Sequence, residues 1–329
     1  MISVVVPVYN EEEIVSLLHD AVVRAMSKLR DSWEVVYVND GSTDSTLPLL
    51  RSLQLNDPHV VVVDLSRNWG HMGAISAGLQ TAAGDAVVLM DGDLQDPPDV
   101  VPEMVEAWRR GAQVVTAVRR SRQERRKALA LLFPLFYRVL GALADFPIPL
   151  NAGIFGLLDR QAVDAINHLQ ESNRYLPGMR AWIGFPTAFI AYDRADRAAG
   201  EPKQTFPRLF KYALDAIFSF SYKPLRLGMA LGAAVLALTL FLALLGLAAS
   251  LASLSFARTE YFLIFLAILF LGGIQLVCIG LLGEYVGRIY DEVRHRPLFV
   301  IQQLHRSEDV RKPALSEEIH ALSRTESAA

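Results

Sequence analysis

Asp91-Gly92-Asp93 is the stretch of this chain best suited to hold a metal ion. It follows a β-like run, Ala86–Met90, and near a strand end the side chains of residues i and i+2 point the same way. Two carboxylates can then converge on one cation, and hard oxygen ligands suit Mg²⁺ or Mn²⁺, ions that commonly also hold substrate phosphates. Gln95 and Asp96 extend the polar cluster before Pro97-Pro98 ends it. Asp40, in Asn39-Asp40-Gly41-Ser42, could accept hydrogen bonds from a nucleobase, with Gly41 allowing a tight turn. The same string also reads as a plain turn with Ser42 or Asp44 capping a helix. Pro7-Val8-Tyr9-Asn10-Glu11 carries a similar choice between ligand contact and turn. Neither Gly-x-Gly-x-x-Gly nor Gly-x-x-x-x-Gly-Lys-Ser/Thr occurs, which argues against dinucleotide-binding and P-loop folds. The histidines lack zincin spacing.

These strings fall at the ends of elements that can position them. Strand-like runs cover Ser3–Val8, Glu34–Asn39, Val60–Asp64, Ala86–Met90 and Gln113–Val118. Stretches of helical length, Glu12–Leu29, Ser45–Leu55, His71–Ala83 and Pro98–Arg110, alternate with them. Near-continuous Val runs suit a parallel sheet covered on both faces, so the pattern predicts a doubly wound α/β domain. In such sheets ligands sit beyond the carboxyl ends of the strands, where the motifs lie.

The second half has another character. Of 32 basic and 35 acidic residues, only Arg258 and Glu260 lie between Leu227 and Leu282. Leu227–Leu251 and Tyr261–Leu282 are each long enough to cross a hydrocarbon core about 30 Å thick. That excludes a purely soluble enzyme, and two spans are too few for a polytopic transporter. Lys223 and Arg226 precede the first span and Arg288, Arg294 and Arg296 follow the second, so the positive-inside rule puts both flanks in the cytoplasm. Phe206–Tyr222 mixes Phe and Tyr with Arg208 and Lys211 and reads as an interfacial helix; Ala128–Leu143 is a weaker case of the same pattern. Residues 119–127 hold six cations, suited to anionic headgroups or simply to solvent. A net charge of −3 gives no support for nucleic-acid binding. The single cysteine, Cys278, excludes a disulfide framework. A strand begins almost at the first residue with no signal-peptide pattern before it, so the first domain is expected on the cytoplasmic side. The tail beyond about Leu304 is polar, with no apolar periodicity, and is expected to be loosely ordered.

Taken in order, Pro7-Val-Tyr-Asn-Glu11, Val38-Asn-Asp-Gly-Ser42, Ser66-Arg-Asn-Trp-Gly70-His71, Asp91-Gly-Asp-Leu-Gln-Asp-Pro-Pro98 and Gly283-Glu-Tyr-Val-Gly-Arg288 resemble the polyprenyl-phosphate glycosyltransferases of glycosyltransferase family 2. The dolichol-phosphate mannose synthases and bactoprenol glucosyltransferases are of this type, and the likeness covers roughly residues 1–300. It implies a GT-A-type, Rossmann-like catalytic domain over 1–205, an interfacial amphipathic helix over 206–224, a two-helix transmembrane hairpin over 225–284 and a cytoplasmic tail over 285–329.

The resemblance also implies roles. Pro7, Tyr9, Asn10, Glu11, Asp40, Asp91 and Gln95 would bind the nucleotide sugar, Asp40 through the base. Asp91, Asp93 and Gln95 would hold the Mg²⁺ or Mn²⁺. Asp93, Arg119, Arg197 and Lys203 would serve catalysis, the last three through the diphosphate and the acceptor phosphate. One sugar, from UDP-glucose or another UDP- or GDP-sugar, would pass with inversion to undecaprenyl phosphate or a similar lipid. The setting implied is the inner (plasma) membrane, with the catalytic domain and both termini cytoplasmic and the chain a homo-oligomer. Gly272-Gly273 would allow close helix approach.

One departure stands out. The family commonly reads Asn-x-Gly-Asp-Phe-Arg where this chain has Asn151-Ala-Gly-Ile154-Phe-Gly156. A lipid phosphate, with its second pKa near about 6, is already anionic at neutral pH and needs no strong base. Loss of the acid and the arginine is therefore expected to change sugar or acceptor preference. A catalytically impaired, membrane-anchored sugar-nucleotide scaffold is the competing reading. A processive polysaccharide synthase is a third, but Gln170-Glu-Ser-Asn-Arg174-Tyr does not match the Gln-x-x-Arg-Trp element of those enzymes.

Overall fold

A computed structural model describes residues 1–120, 152–169, 171, 174–193 and 260–307, with scattered positions between 228 and 241. They divide into two compact units, one holding every strand and the other the long C-terminal helix.

The first unit begins with alternating elements: β1 (Ile2–Val8), α1 (Val15–Met26), β2 (Trp33–Asn39), α2 (Thr46–Asn56), β3 (Val60–Leu65), α3 (His71–Thr81) and β4 (Ala86–Leu89). A 3-10 turn at Pro98–Val100 leads into α4 (Val101–Arg109), then β5 (Val114–Arg119). Next come β6 (Ala152–Asp159), α5 (Arg160–His168), α6 (Leu176–Trp182) and β7 (Thr187–Tyr192). The strand order is β7-β5-β6-β4-β1-β2-β3-β8, where β8 is Ile301–His305. The α/β expectation holds for the parallel strands β1 to β4, and their continuous apolar runs have a clear cause. Val4, Val6 and Val8 enter a core cluster on one face of the sheet, while Val5 enters the cluster on the other. Strands buried on both sides have no polar face to show.

Two strands break the simple doubly wound pattern. β6 runs antiparallel between β4 and β5, pairing Leu89 with Gly156 and Thr116 with Gly156. β8 closes the far edge antiparallel to β3, pairing Val63 with Leu304. Ile301–His305, within the expected cytoplasmic tail over 285–329, thus supplies a sheet strand. Backbone pairing to β3 orders a segment whose polar sequence, Ile301-Gln-Gln-Leu-His305, carries little apolar signal of its own. Arg51 Nη2 donates to Gln303 Oε1 at 2.6 Å, and Arg306 donates to Thr81 O at 3.0 Å.

The second unit contains α7 (Glu260–Val293), within which Phe270–Val293 is long and apolar enough to cross a membrane and has no fully buried residue. The helix runs past the expected end of the span at residue 284. Most of the first expected span, and all of 206–224, lie outside the described residues. Described positions between 228 and 241 are helical, and the Cys278 thiol lies 3.8 Å from the Gly228 carbonyl as a weak donor.

Candidate active site

The carboxyl ends of β1, β2 and β4 bring three of the expected acids around one imidazole. Asp91 lies two residues past the end of β4, and Gly92 next to it faces the end of β1. A Cβ on Gly92 would lie 2.9 Å from the Pro7 carbonyl oxygen, so glycine at the centre of the Asp-x-Asp string lets it lie against β1. Asp93 Oδ1 accepts from the Gln95 backbone N–H at 3.2 Å, and Leu94 between them has a φ of +58°. His71, at the start of α3, places Nε2 3.3 Å from Asp91 Oδ1. Desolvation works against protonation of His71. The hydrogen bond to Asp91 and the charges of Asp91, Asp40 and Asp93 outweigh it, so the imidazole titrates above its ordinary value. Its side chain is still 48% exposed, within reach of a ligand. His71 ends the string Ser66–His71, whose sequence assigns it no role. Only the tertiary structure sets it against Asp91.

Among the described residues no group of three or more His, Cys, Asp or Glu side chains is arranged to hold a metal. Two carboxylates with Gln95 fit a Mg²⁺ or Mn²⁺ of the kind that takes one or two protein carboxylates and completes its shell from phosphates and water.

Asp40 is buried and spans a backbone gap. Its Oδ1 accepts from the Trp69 N–H at 2.7 Å and its Oδ2 from the Gly70 N–H at 3.0 Å. Burial raises its pKa, only partly offset by those two donors and by His71 and Arg67. Gly41 follows with a φ of +66°, and a Cβ there would lie 2.5 Å from the Asn68 nitrogen. The turn and the loop 66–70 therefore form one packed unit that needs both the acid and the glycine. Each Asp40 oxygen has a second lone pair.

The first expected string is built into the same scaffold. Asn10 adopts a φ of +53°; its N–H donates to Ser42 Oγ at 3.0 Å and its Oδ1 accepts from Thr43 N–H at 2.8 Å. The Glu11 N–H donates to Thr46 Oγ1 at 2.9 Å. Tyr9 is 38% exposed. Neither Ser42 nor Asp44 is the N-cap of α2: that position is Ser45, which makes no side-chain cap bond, while Asp44, one residue earlier, accepts from Thr46 N–H at 3.0 Å and Ser42 serves Asn10.

Arg119 stands at the end of β5, as expected, and is held by a residue that was not anticipated. Its Nε donates to the Tyr192 hydroxyl at 3.3 Å, and that hydroxyl donates to buried Asp96 at 2.8 Å. Burial and Asp96 push the phenol up to about 12 against the pull of Arg119, so it stays a neutral O–H. Tyr192 ends β7, which lies outside the strand-like runs named above. Arg197 and Lys203 lie outside the described residues, as do residues 121–151.

The departure at 154 and 156 also finds a structural setting. Gly156 pairs with both neighbouring strands, and a Cβ there would collide with the Val115 carbonyl oxygen and lie 3.2 Å from Arg180 Nη1. Arg180 reaches in from α6, donating from Nη2 to the Ile154 carbonyl and from Nη1 to the Gly153 carbonyl at 3.4 Å. Burial lowers its pKa to about 10, which leaves the guanidinium charged at neutral pH. The volume beside Gly156 is thus already occupied by an arginine from another element.

The sequence profile described as glycosyl transferase family 2 matches residues 3–166. An uncharacterised glycosyltransferase of Synechocystis sp. is 40% identical over 303 residues, 92% of this chain and 95% of that protein. A prophage-derived bactoprenol glucosyl transferase of Shigella flexneri is 39% identical over 308 residues, 93% of this chain and 98% of that protein. Among solved structures, a mannosyltransferase of Pyrobaculum calidifontis in complex with GDP-Man and Mn²⁺ superposes with a TM-score of 0.41 at 18% identity, covering 84% of this chain and 86% of that one.

Proposed function

The chain belongs to glycosyl transferase family 2, and from that premise we propose that it transfers a single sugar, with inversion, from a nucleotide sugar to a polyprenyl phosphate at the cytoplasmic face of the plasma membrane. The observation that carries the reading is end-to-end similarity to a bactoprenol glucosyl transferase, which extends beyond the catalytic domain into the apolar helix. UDP-glucose is the first donor to test, and undecaprenyl phosphate the first acceptor.

The acceptor phosphate is anionic near neutral pH, so its oxygen can attack the anomeric carbon without a strong base. The chain's own tasks are then to align the two substrates and to offset charge on the departing nucleoside diphosphate. Asp91 and Asp93, with Gln95, would hold a Mg²⁺ or Mn²⁺ that supplies part of that charge. Asp40 shapes the loop 66–70 and offers its remaining lone pairs to the base; Pro7, Tyr9, Asn10 and Glu11 form the neighbouring wall. Arg119 presents a guanidinium toward the diphosphate, with Arg197 and Lys203 assigned to the phosphates by resemblance. The apolar C-terminal segment keeps the chain at the bilayer that holds the acceptor's tail, in a multi-pass arrangement with cytoplasmic termini and self-association through its helices.

Purified full-length chain, given Mn²⁺ or Mg²⁺, labelled UDP- and GDP-sugars and undecaprenyl phosphate, should yield a lipid carrying one sugar. Polymer would instead favour a processive synthase, and donor binding without turnover a scaffold.

A further inference from the structure

Three side chains from distant parts of the chain meet at the ends of β5 and β7: Arg119, Tyr192 and Asp96. Tyr192 and Asp96 are buried, and the phenol ring packs edge-on against Phe155 with centroids 5.2 Å apart. The hydroxyl donates its one proton to Asp96, so the lone pair facing Arg119 Nε can only accept. The direction of both bonds is therefore set by Asp96. A guanidinium held through Nε keeps its two Nη groups in a fixed plane, which is the edge that recognises phosphate oxygens in pairs. Asp96 belongs to the same short turn as Asp91 and Asp93, so this chain of bonds links the aim of Arg119 to the Asp-x-Asp segment.

We propose that Tyr192 is a positioning residue for Arg119, fixing the guanidinium for the diphosphate of the nucleotide sugar, with Asp96 dictating the polarity of the contact. The proposal rests on the reading of Arg119 given under the proposed function. It requires no proton transfer: the phenol stays neutral and only orients its neighbour.

The test is a double-mutant cycle on the full-length chain, reading the affinity for UDP, and for GDP in parallel, with Mn²⁺ present. Tyr192→Phe keeps the ring against Phe155 and removes one oxygen. It should weaken nucleoside diphosphate binding by about tenfold, the scale of one hydrogen bond to a charged group. In an Arg119→Gln background the same change should have almost no further effect on affinity, because coupled residues do not add. A purely packing role would lower the melting temperature in both backgrounds and leave affinity unmoved. Unchanged affinity in Tyr192→Phe, or equal losses in both backgrounds, overturns the proposal. Diphosphate binding without sugar transfer by the unaltered chain would overturn the functional reading alone, and the affinity cycle would still decide on Tyr192. Absence of any binding would overturn both.

Discussion

Gly156 and Arg180 share one volume: a Cβ on Gly156 would lie 3.2 Å from Arg180 Nη1 and would collide with the Val115 carbonyl on the neighbouring strand. The missing arginine at 156 is therefore bound up with strand packing. Gly156→Ala should destabilise the fold by about 2 kcal/mol, and Gly156→Arg by more, as overpacking does. Thermal unfolding of the two variants checks this. A Gly156→Arg protein as stable as the parent, changed only in donor preference, would restore the simpler view that position 156 tunes the sugar.

Metal dependence follows from the Asp-x-Asp turn. Chelation should stop sugar transfer and added Mn²⁺ should restore it. Asp93→Ala should reduce the rate by about 100-fold or more, the scale of losing a group that offsets transition-state charge. Turnover by Asp93→Ala close to the parental rate would remove Asp93 from the site.

Asp44 gives a pH signature. Burial opposes its ionisation, but hydrogen bonds from the Thr46 hydroxyl, the Thr46 N–H and the Glu12 N–H prevail and lower its pKa. A carboxylate depressed in the folded state stabilises above its unfolded pKa of about 3.9 and loses that contribution as pH falls through the folded value. Asp44→Ala should cost about 1 kcal/mol at pH 7, the net scale of a lost hydrogen bond. Denaturant titrations should show that gap closing below about pH 4; a gap that persists at pH 2 would assign the effect to something other than charge.

At the opposite ends of the strands, buried Glu34 faces Arg306 at 3.6 Å, just past β8. Glu34 Oε1 also accepts from Ser3 Oγ at 2.6 Å and from the Ala83 N–H at 2.7 Å. Arg306→Met should cost about 3 kcal/mol, because it strands a buried charge. Glu34→Gln added to it should recover part of that loss. Failure of Glu34→Gln to recover any stability would show that the arginine acts through Thr81 and packing instead.

Much of this protein is written locally. Val runs with helical stretches between them specify the parallel β1 to β4 core, since a strand buried on both faces must be apolar at every position. The charge gap after residue 227 marks an apolar segment, of which Phe270–Val293 is long and apolar enough to cross a membrane, for an equally local reason: a bilayer admits few charges. Asp91, Asp93 and Asp40 stand out as candidates because glycine-flanked acids at strand ends form short strings. What the sequence could not disclose are pairings between distant positions. Antiparallel β6 enters between β4 and β5, β8 returns to the edge of β3, and Tyr192 reaches Asp96 across 96 residues. No residue type or spacing near Tyr192 announces that contact. The same holds for His71 beside Asp91 and for Arg180 beside Gly156, where strand register and helix placement, rather than any local string, decide which side chains share a space.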